Sequence, residues 1–593
     1  EAGAHWYMDN PSHLLEVQAL ADAGGIGLFT FTDRADLGMP VGQVSAPLPW
    51  TALAWLARAG LPPALGNALA IVLSNVLFAL AVSRLSLRLH ARDDVAWIAG
   101  ALAAAFAGDV YGIGGTAGGM WPYRLANALV IFALARRPGP TAATLLGATF
   151  WCHTLSATVG VLALVVSALA AGWRTRSLPL HHLATGALAV GLGAGVWVPL
   201  LDPALHDFGG AHPYRWGEIP LALGFPLSPF AFPRGSVLLG GWVSVAAWAG
   251  VMGAAVLGTA RSRGAPPGGS AALALLVALG LVELGVLSPS LGGPSPFGPV
   301  PFRLHAFFHV FLALLAARGL RALADWALAR VQTHDDPRPL AITGAMLPTL
   351  ALTGVPLLLA LSTSRAGTQQ MAIPDDPDLV TAYLEASRGD RQVYVHDTFA
   401  NPGAPAGMYW SHPGGLLAAR HGGRVLGSWY GISPSPVTRV SRSEDMFFTG
   451  MSRRKPREDF VDEALDRLDA WGVGAVLTWD GEVVGWLDGQ RGFSMTSRHG
   501  VWTVLTREEL PPAKPGRLRL AGNAWWSAPG GTTVSTEKAT GLLTVDGPGS
   551  PSMVDEAAPW RLASLGALAL LAFYAASATY RPRGRGRSPA PTG

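Results

Sequence analysis

The sequence predicts an α-helical polytopic membrane protein that carries an extracytoplasmic α/β plus β domain near its C-terminus. Three observations predict it. Half of the 593 residues are hydrophobic and only 14% are charged, against about 25% charged in soluble domains. Apolar runs approaching the roughly 20 residues that cross a bilayer recur up to position 361 and once more near the end. The basic residues fall in short clusters between those runs: Arg84, Arg88 and Arg92; Arg136 and Arg137; Arg174 and Arg176; Arg261 and Arg263; Arg318, Arg321 and Arg330; and the tail from Arg581 to Arg587. If the chain starts outside, every cluster falls on the cytoplasmic side, as the positive-inside rule requires. A net charge of +4 distributed in this way is a topology signal and excludes a nucleic-acid footprint. The single cysteine, Cys152, excludes an internal disulfide framework and a cysteine-built zinc cage.

Residues 1–62 read as an extracytoplasmic loop with amphipathic helices, the densest polar and acidic stretch before the apolar spans. Within it Pro11 restricts Asn10 to extended conformations and a helix begins at Ser12, running until Gly24-Gly25 ends it. The multispan body occupies 63–361, with spans expected at 64–83, 95–109, 122–136, 139–151, 153–172, 181–200, 236–258, 270–287, 303–325 and 339–361. The loop from 201 to 235 lies re-entrant or along the interface, and its Trp and Tyr also suit belt anchors. Gly114 to Met120 lacks the strand, Lys and Ser/Thr of a phosphate loop and reads as a turn or close packing. Residues 362–556 change to charge, Asp-Pro turns and alternating strands, a water-soluble unit outside the membrane. Helices are expected at 378–387 and 457–471, strands at 391–396 and 474–479, and β-rich hairpins after Gly492. A final span at 559–579, within a C-terminal segment 557–580, makes about eleven; the basic tail 581–593 meets the anionic inner leaflet.

Asp9 stands just outside a helix N-terminus, where backbone donors and the positive end of the dipole keep a carboxylate ionised and directed. Such a group accepts a proton or binds a metal; its bland role is a helix cap. Asp33 and Asp36, in the T-D-R-A-D run, are either further acidic groups or turn residues. Arg303, heading a span, offers a forked donor set to phosphate oxygens, with Arg124 as second choice; snorkelling from a helix end is the alternative. His305 and His309 share a helix face at a spacing compatible with a metal, although paired histidines in an aromatic helix more often pack and hydrogen-bond. His13 and His153 are supporting groups on the outer side, and Glu283 is a carboxylate inside a span, a position expensive enough to suggest function.

The run D-N-P-S-H-L-L from Asp9 to Leu15, the Gly24-Gly25 stop, D-L-G-M-P-V from Asp36 to Val41 and A-P-L-P-W from Ala46 to Trp50 together resemble the first extracytoplasmic loop of GT-C type glycosyltransferases. These depend on lipid-phosphosugars and have bacterial relatives of the same fold that are not catalytic. The resemblance extends loosely over 1–361. It implies a membrane helix ahead of Glu1, transfer of a sugar from a polyprenyl-phosphate carrier to a glycan or lipid acceptor on the outer face, and Asp9 as the general base. Many members carry a second acidic residue where this chain has Asn10. That leaves a divalent metal ion as the one cofactor in question, with Asp33 and Asp36 as substitute ligands.

Three functions follow from the residues and the resemblance. The first is an inverting glycosyltransferase of a bacterial inner or plasma membrane, its partners being the carrier-linked sugar, the acceptor and membrane lipids. The second is a catalytically silent scaffold or accessory subunit that docks on partner subunits of a larger membrane complex. The third is a transporter or flippase, for which Glu283 and the short spans speak.

Overall fold

The computed structural model describes residues 10–24, 30–41, 47–105, 120–199, 250–251, 253–258, 278, 305–332, 376–398, 404–405, 408, 412–427, 437, 459–522, 526–553 and 558–579. Asp9, Glu283 and Arg303 lie outside these residues. So do the expected spans 270–287 (except Ala278) and 339–361, most of 236–258, the loop 201–235, the Gly-rich stretch 114–119 and the tail 581–593.

Leucine on the outside is the signature of the helical body. Helix α3 (Pro63–His90) exposes Leu65, Leu69, Val72, Leu73, Val76 and Leu80 along one stripe. Its buried stripe holds Gly66, Asn67 and Ser74 ahead of Phe78, Ala81, Val82 and Leu85. Water would reverse that distribution, whereas lipid tails accept it and leave the interior for close packing. Helices α4 (Asp93–Ala105), α5 (Trp121–Leu134), α6 (Pro140–Cys152), α7 (Thr154–Thr175) and α8 (Leu180–Trp197) follow, then α9 (His305–Gln332). Helix α5 is central, burying all but three of its 14 residues between α3, α6 and α7. Of the described helices, three are long and apolar enough to cross a membrane by length and composition: Pro63–His90, Thr154–Thr175 and Ala558–Ala576. The 13 residues of α4 span about 20 Å, short of the ~30 Å hydrocarbon core.

The two ends of this body differ. At one end Arg88 donates to the carbonyls of Leu134 (2.7 Å) and Arg136, satisfying the open C-terminus of α5. There Arg321 also bridges Asp94 at 3.0 Å and Asp325 at 2.7 Å, tying α9 to α4. At the other end the Trp121 indole donates to Asn67 Oδ1 at 2.8 Å, joining the heads of α5 and α3. The last helix, α14 (Ala558–Thr579), lies antiparallel on α8: Gly195 N–H donates to Ser564 Oγ at 2.9 Å, and His181 Nδ1 sits 3.2 Å from the Tyr574 hydroxyl. Exposed Trp97, Trp173 and Trp326 ring the arginine end, and exposed Trp55 and Trp560 lie toward the other, the arrangement of interfacial aromatic belts.

Beyond the arginine-poor end stands a five-stranded sheet of order β4-β3-β5-β7-β6. Strands β3 (Gln392–Val395), β4 (Arg424–Leu426) and β5 (Val473–Thr478) are parallel; β7 (Trp502–Thr506) and β6 (Ser494–His499) are antiparallel. Both faces are covered, so β3 and β5 are apolar without alternation. Val393, Val395, Ala475 and Leu477 face α10 (Pro377–Ala386) and α11 (Pro413–His421). Tyr394, Val473 and Val476 face α12 (Asp459–Trp471) and α13 (Gly481–Leu487). The β appendage pairs β10 (Thr533–Thr536), β11 (Leu542–Asp546) and β8 (Arg517–Ala521) in one sheet, and β12 (Ser552–Met553) with β9 (Trp526–Ser527) in another.

The first loop belongs to this sheet's core. Helices α1 (Asn10–Asp22) and α2 (Pro47–Arg58) bury Leu14, Leu15, Val17, Leu20, Trp50 and Leu53 in the same cluster as Val393 and Leu477. Between them a small hairpin, β1 (Thr30–Thr32) with β2 (Met39–Val41), carries at its tip a stretch that adds to the free edge of β4. Val425 N–H donates to Arg34 O at 2.8 Å, Asp36 N–H donates to Val425 O at 2.9 Å, and Ala35 pairs in parallel with Val425. Ala35 enters the core on one sheet face and Leu37 the core on the other, the two-residue alternation of a strand. The chain thus covers its own sheet edge.

Candidate functional site

The junction between the sheet and the helical body collects the outer candidates. Pro122 suits the first turn of α5, where a missing N–H costs nothing. Arg124 follows, fully buried. Its guanidinium lies 3.6 Å over the Phe78 ring, and Nη2 donates to Ala103 O at 3.3 Å in the last turn of α4. The ring quadrupole favours a cation there, and the carbonyl end of α4 offsets the positive end of the α5 dipole. Tyr123 meets His153 edge-on at 4.8 Å. His153 is extended and caps α7, accepting from Ser156 N–H at 3.4 Å. Ser156 Oγ donates to Asn127 Oδ1 at 2.8 Å. Tyr123, Asn127, His153 and Ser156 therefore form one polar cluster inside an apolar body, built from the heads of α5 and α7, while Arg124 on the same turn of α5 is directed to α3 and α4.

A chain of rings leads from that cluster to the first loop. His13, in the second turn of α1, stacks on Trp50 at 4.3 Å and lies 3.5 Å from Glu16. Trp50 meets Trp121 edge-on at 5.2 Å, and Trp121 precedes Arg124 by one helical turn. Arg58 donates to the carbonyls of Leu20 and Ala21 at 2.5 and 2.9 Å, so α2 fixes the C-terminus of α1. His13 of α1 thus reaches the head of α5 through Trp50 of α2. Asp9 immediately precedes α1 in sequence.

The other acidic candidates are turned toward the sheet. Asp33 pairs with Arg424 at 3.0 Å, and Asp36 is buried with Oδ1 accepting from Gly427 N–H at 3.3 Å. Both act at the β4 edge, the turn role that the T-D-R-A-D run also allowed. His305 opens α9 and its side chain lies outside the described residues, while His309, one turn on, is buried. No group of three or more His, Cys, Asp or Glu that would hold a metal ion occurs among the described residues.

A second polar cluster has no counterpart among the residues singled out from the sequence. Chain order places β4 on one side of β3 and β5 on the other, so the topology switches between β3 and β5, and the carboxyl ends of such strands form a crevice. There His396 Nδ1 lies 2.8 Å from Thr478 Oγ1 and its ring stacks on Trp479 at 4.7 Å. Burial pushes the His396 imidazole down to about 4, with Asp480 and Asp397 opposing. Beside it His412 Nδ1 sits 3.0 and 2.9 Å from the two oxygens of Asp397. The available signal was the V-H-D and T-W-D sequence at the ends of two buried strands, which acquires meaning only once the strands are neighbours.

No protein-family model matches the chain, and no curated protein matches it. Among solved structures it is similar to the oligosaccharyltransferase of Archaeoglobus fulgidus in the apo form, at 11% identity and a TM-score of 0.45, over 81% of this chain and 67% of that one. It is similar to the same organism's AglB in complex with an inhibitory peptide and a dolichol-phosphate, at 12% identity and 0.42, over 80% and 65%. It is also similar to ArnT from Cupriavidus metallidurans bound to undecaprenyl phosphate, at 12% identity and 0.48, over 86% and 96%. The chain spans about two thirds of the archaeal protein's length.

Proposed function

We propose that the chain is a polytopic GT-C type glycosyltransferase that moves a sugar from a polyprenyl-phosphate carrier to an extracytoplasmic acceptor with inversion. The observation that carries this reading is the fully buried Arg124 at the head of α5, joined through Trp121, Trp50 and His13 to the loop helix that Asp9 precedes. A buried cation close to the bilayer surface suits a phosphate leaving group, and a carboxylate ahead of a helix N-terminus suits a base. In the proposed step the acceptor hydroxyl gives its proton to Asp9, and its oxygen bonds to the anomeric carbon. The bond from that carbon to the carrier phosphate breaks on the opposite side, and the electron pair leaves on the phosphate, held by Arg303 and Arg124. The carrier class proposed is an undecaprenyl or dolichol phosphate, as bound in the ArnT and AglB structures. The reading includes about eleven spans, the sheet domain outside a bacterial inner or plasma membrane, and a cytoplasmic C-terminus. The outward apolar stripes and the arginines at the end away from the sheet support it.

The test uses the reconstituted full chain with radiolabelled polyprenyl-phosphate sugars and membrane extract as acceptor. Asp9→Asn abolishes transfer with unchanged folding. Arg124→Lys lowers it about tenfold to a hundredfold, the worth of a forked charge-assisted bond. Activity equal to the parent in both variants refutes these roles. The second reading, a silent subunit, is favoured by the indoles of Trp50 and Trp121 that fill the junction. A parent that transfers nothing across a broad donor panel and co-purifies with a fixed partner selects it.

A further inference from the structure

At the arginine end a cavity of about 120 Å³ opens between α5, α6, α7 and α8. Its polar rim is Arg88, Arg136, Arg174 and His182, and Leu146 and Leu164 lie among its apolar walls. No carboxylate is among the lining residues. Of the acidic groups described at this end, Asp94 and Asp325 are engaged by Arg92 and Arg321, and Asp93 in the first turn of α4 does not line the cavity.

Two helix N-termini also reach the cavity. Ala142 and His182, each the third residue of its helix, line the cavity, so the first turns of α6 and α8 face it. Neither N-cap residue, Gly139 or Pro179, supplies a capping hydrogen bond from its side chain. The C-terminal turns of α5 and α7 line the same recess, so the dipoles offset one another, and it is the three guanidinium groups, with no carboxylate beside them, that constitute an anion site. Leu180, Leu183, Val165 and Leu169 are exposed on the same two helices, α7 and α8, and Trp173 is 88% exposed beside Arg174. On α7 that surface lies on the opposite side from Leu164, Ala171 and Arg174, so it marks the depth of the recess, with Trp173 at the level of the lipid headgroups.

We propose that this cavity binds the phosphate head of an anionic phospholipid, with Arg136 and Arg174 as the principal ligands and Arg88 held in place by the α5 carbonyls. The site lies at the opposite end of the helices from Arg124 and is independent of the transferase reading. The test is native mass spectrometry of the delipidated full chain with phosphatidylglycerol and phosphatidylcholine of identical acyl chains. The parent retains phosphatidylglycerol about tenfold more strongly. Arg136→Ala and Arg174→Ala each weaken retention about fivefold and together about thirtyfold, while Arg84→Ala, outside the cavity at the same end, leaves it unchanged. The lysine pair Arg136→Lys/Arg174→Lys keeps most of the retention, and thermal melting of every variant stays at the parent value. Equal retention of the two lipids, an unaffected double alanine variant, or an equal loss in Arg84→Ala overturns the site. Displacement of the lipid by about 10 mM inorganic phosphate assigns the recess to a free anion and overturns its lipid character.

Discussion

His396 is held neutral by the burial that also stacks it on Trp479. Its folded value of about 4 lies below the ordinary 6.5, so between those values the unfolded chain binds the extra proton. The stabilisation is complete above pH 6.5 and is lost as pH falls toward 4, by about 3 kcal/mol in all. Melting followed by tryptophan fluorescence is expected to lose that dependence in His396→Gln while keeping the acid sensitivity of the remaining groups. The outer residues were readable one at a time: a carboxylate before a helix, arginines at span ends, a histidine pair. Their partners were not. The place of Arg124 at a span end is legible in the sequence, but its burial over Phe78 depends on α3 and α4 arriving at the same point. Asp33 and Asp36 face an arginine and a glycine near position 425 that no local pattern connects to them. The His396 crevice was missed for the same reason, since His412 and Thr478 come from distant segments.

Elements were more legible than contacts. The bounds expected at 122–136, 139–151 and 153–172 coincide to within a few residues with the helices α5, α6 and α7, because apolar periodicity and Pro or Gly breaks act locally, although of the three only α7 is long and apolar enough to cross a membrane. The first span runs on to His90 where 83 was expected, since Arg84 and Arg88 continue the helix past the apolar stretch and Arg88 serves α5. The expected helix at 457–471 and strand at 474–479 correspond to α12 and β5. What spacing does not reveal is how closely helices approach. On α9, a Cβ at Gly319 would collide with Ala254 O, and one at Gly258 would collide with Leu315 O. These reciprocal glycines let two backbones touch. Gly319→Ala and Gly258→Ala are each expected to lower stability by about 1–3 kcal/mol. The double variant should lose less than the sum, because the first substitution already separates the helices; melting in detergent checks both statements. Simple additivity would mean that the two glycines act in separate contacts.

At the scale of the molecule, the sequence separates a loop, a membrane body and a soluble domain, whereas the structure joins the first and last of these in one core. Asp36 and Leu37 adopt φ of +46° and +61°, a region that non-glycine residues seldom occupy. They remain there because Leu37 is buried and its carbonyl accepts from Ala521 N–H at 3.0 Å. Asp36→Ala removes the bond to Gly427 and is expected to cost about 1–2 kcal/mol, seen as faster amide exchange at Ala35, Asp36 and Val425 with the membrane helices unaffected. Uniform exchange across the chain would mean that the loop and sheet do not open as a unit. The same contact has a consequence for synthesis. Asp36 and Gly427 are 391 residues apart, and at about 5–20 residues per second the ribosome needs roughly 20 to 80 s to make the partner after the loop has emerged. For that interval Leu14, Leu15 and Trp50 have nothing of the sheet to cover them, so a chaperone or the membrane surface must shelter the nascent loop until translation is nearly finished.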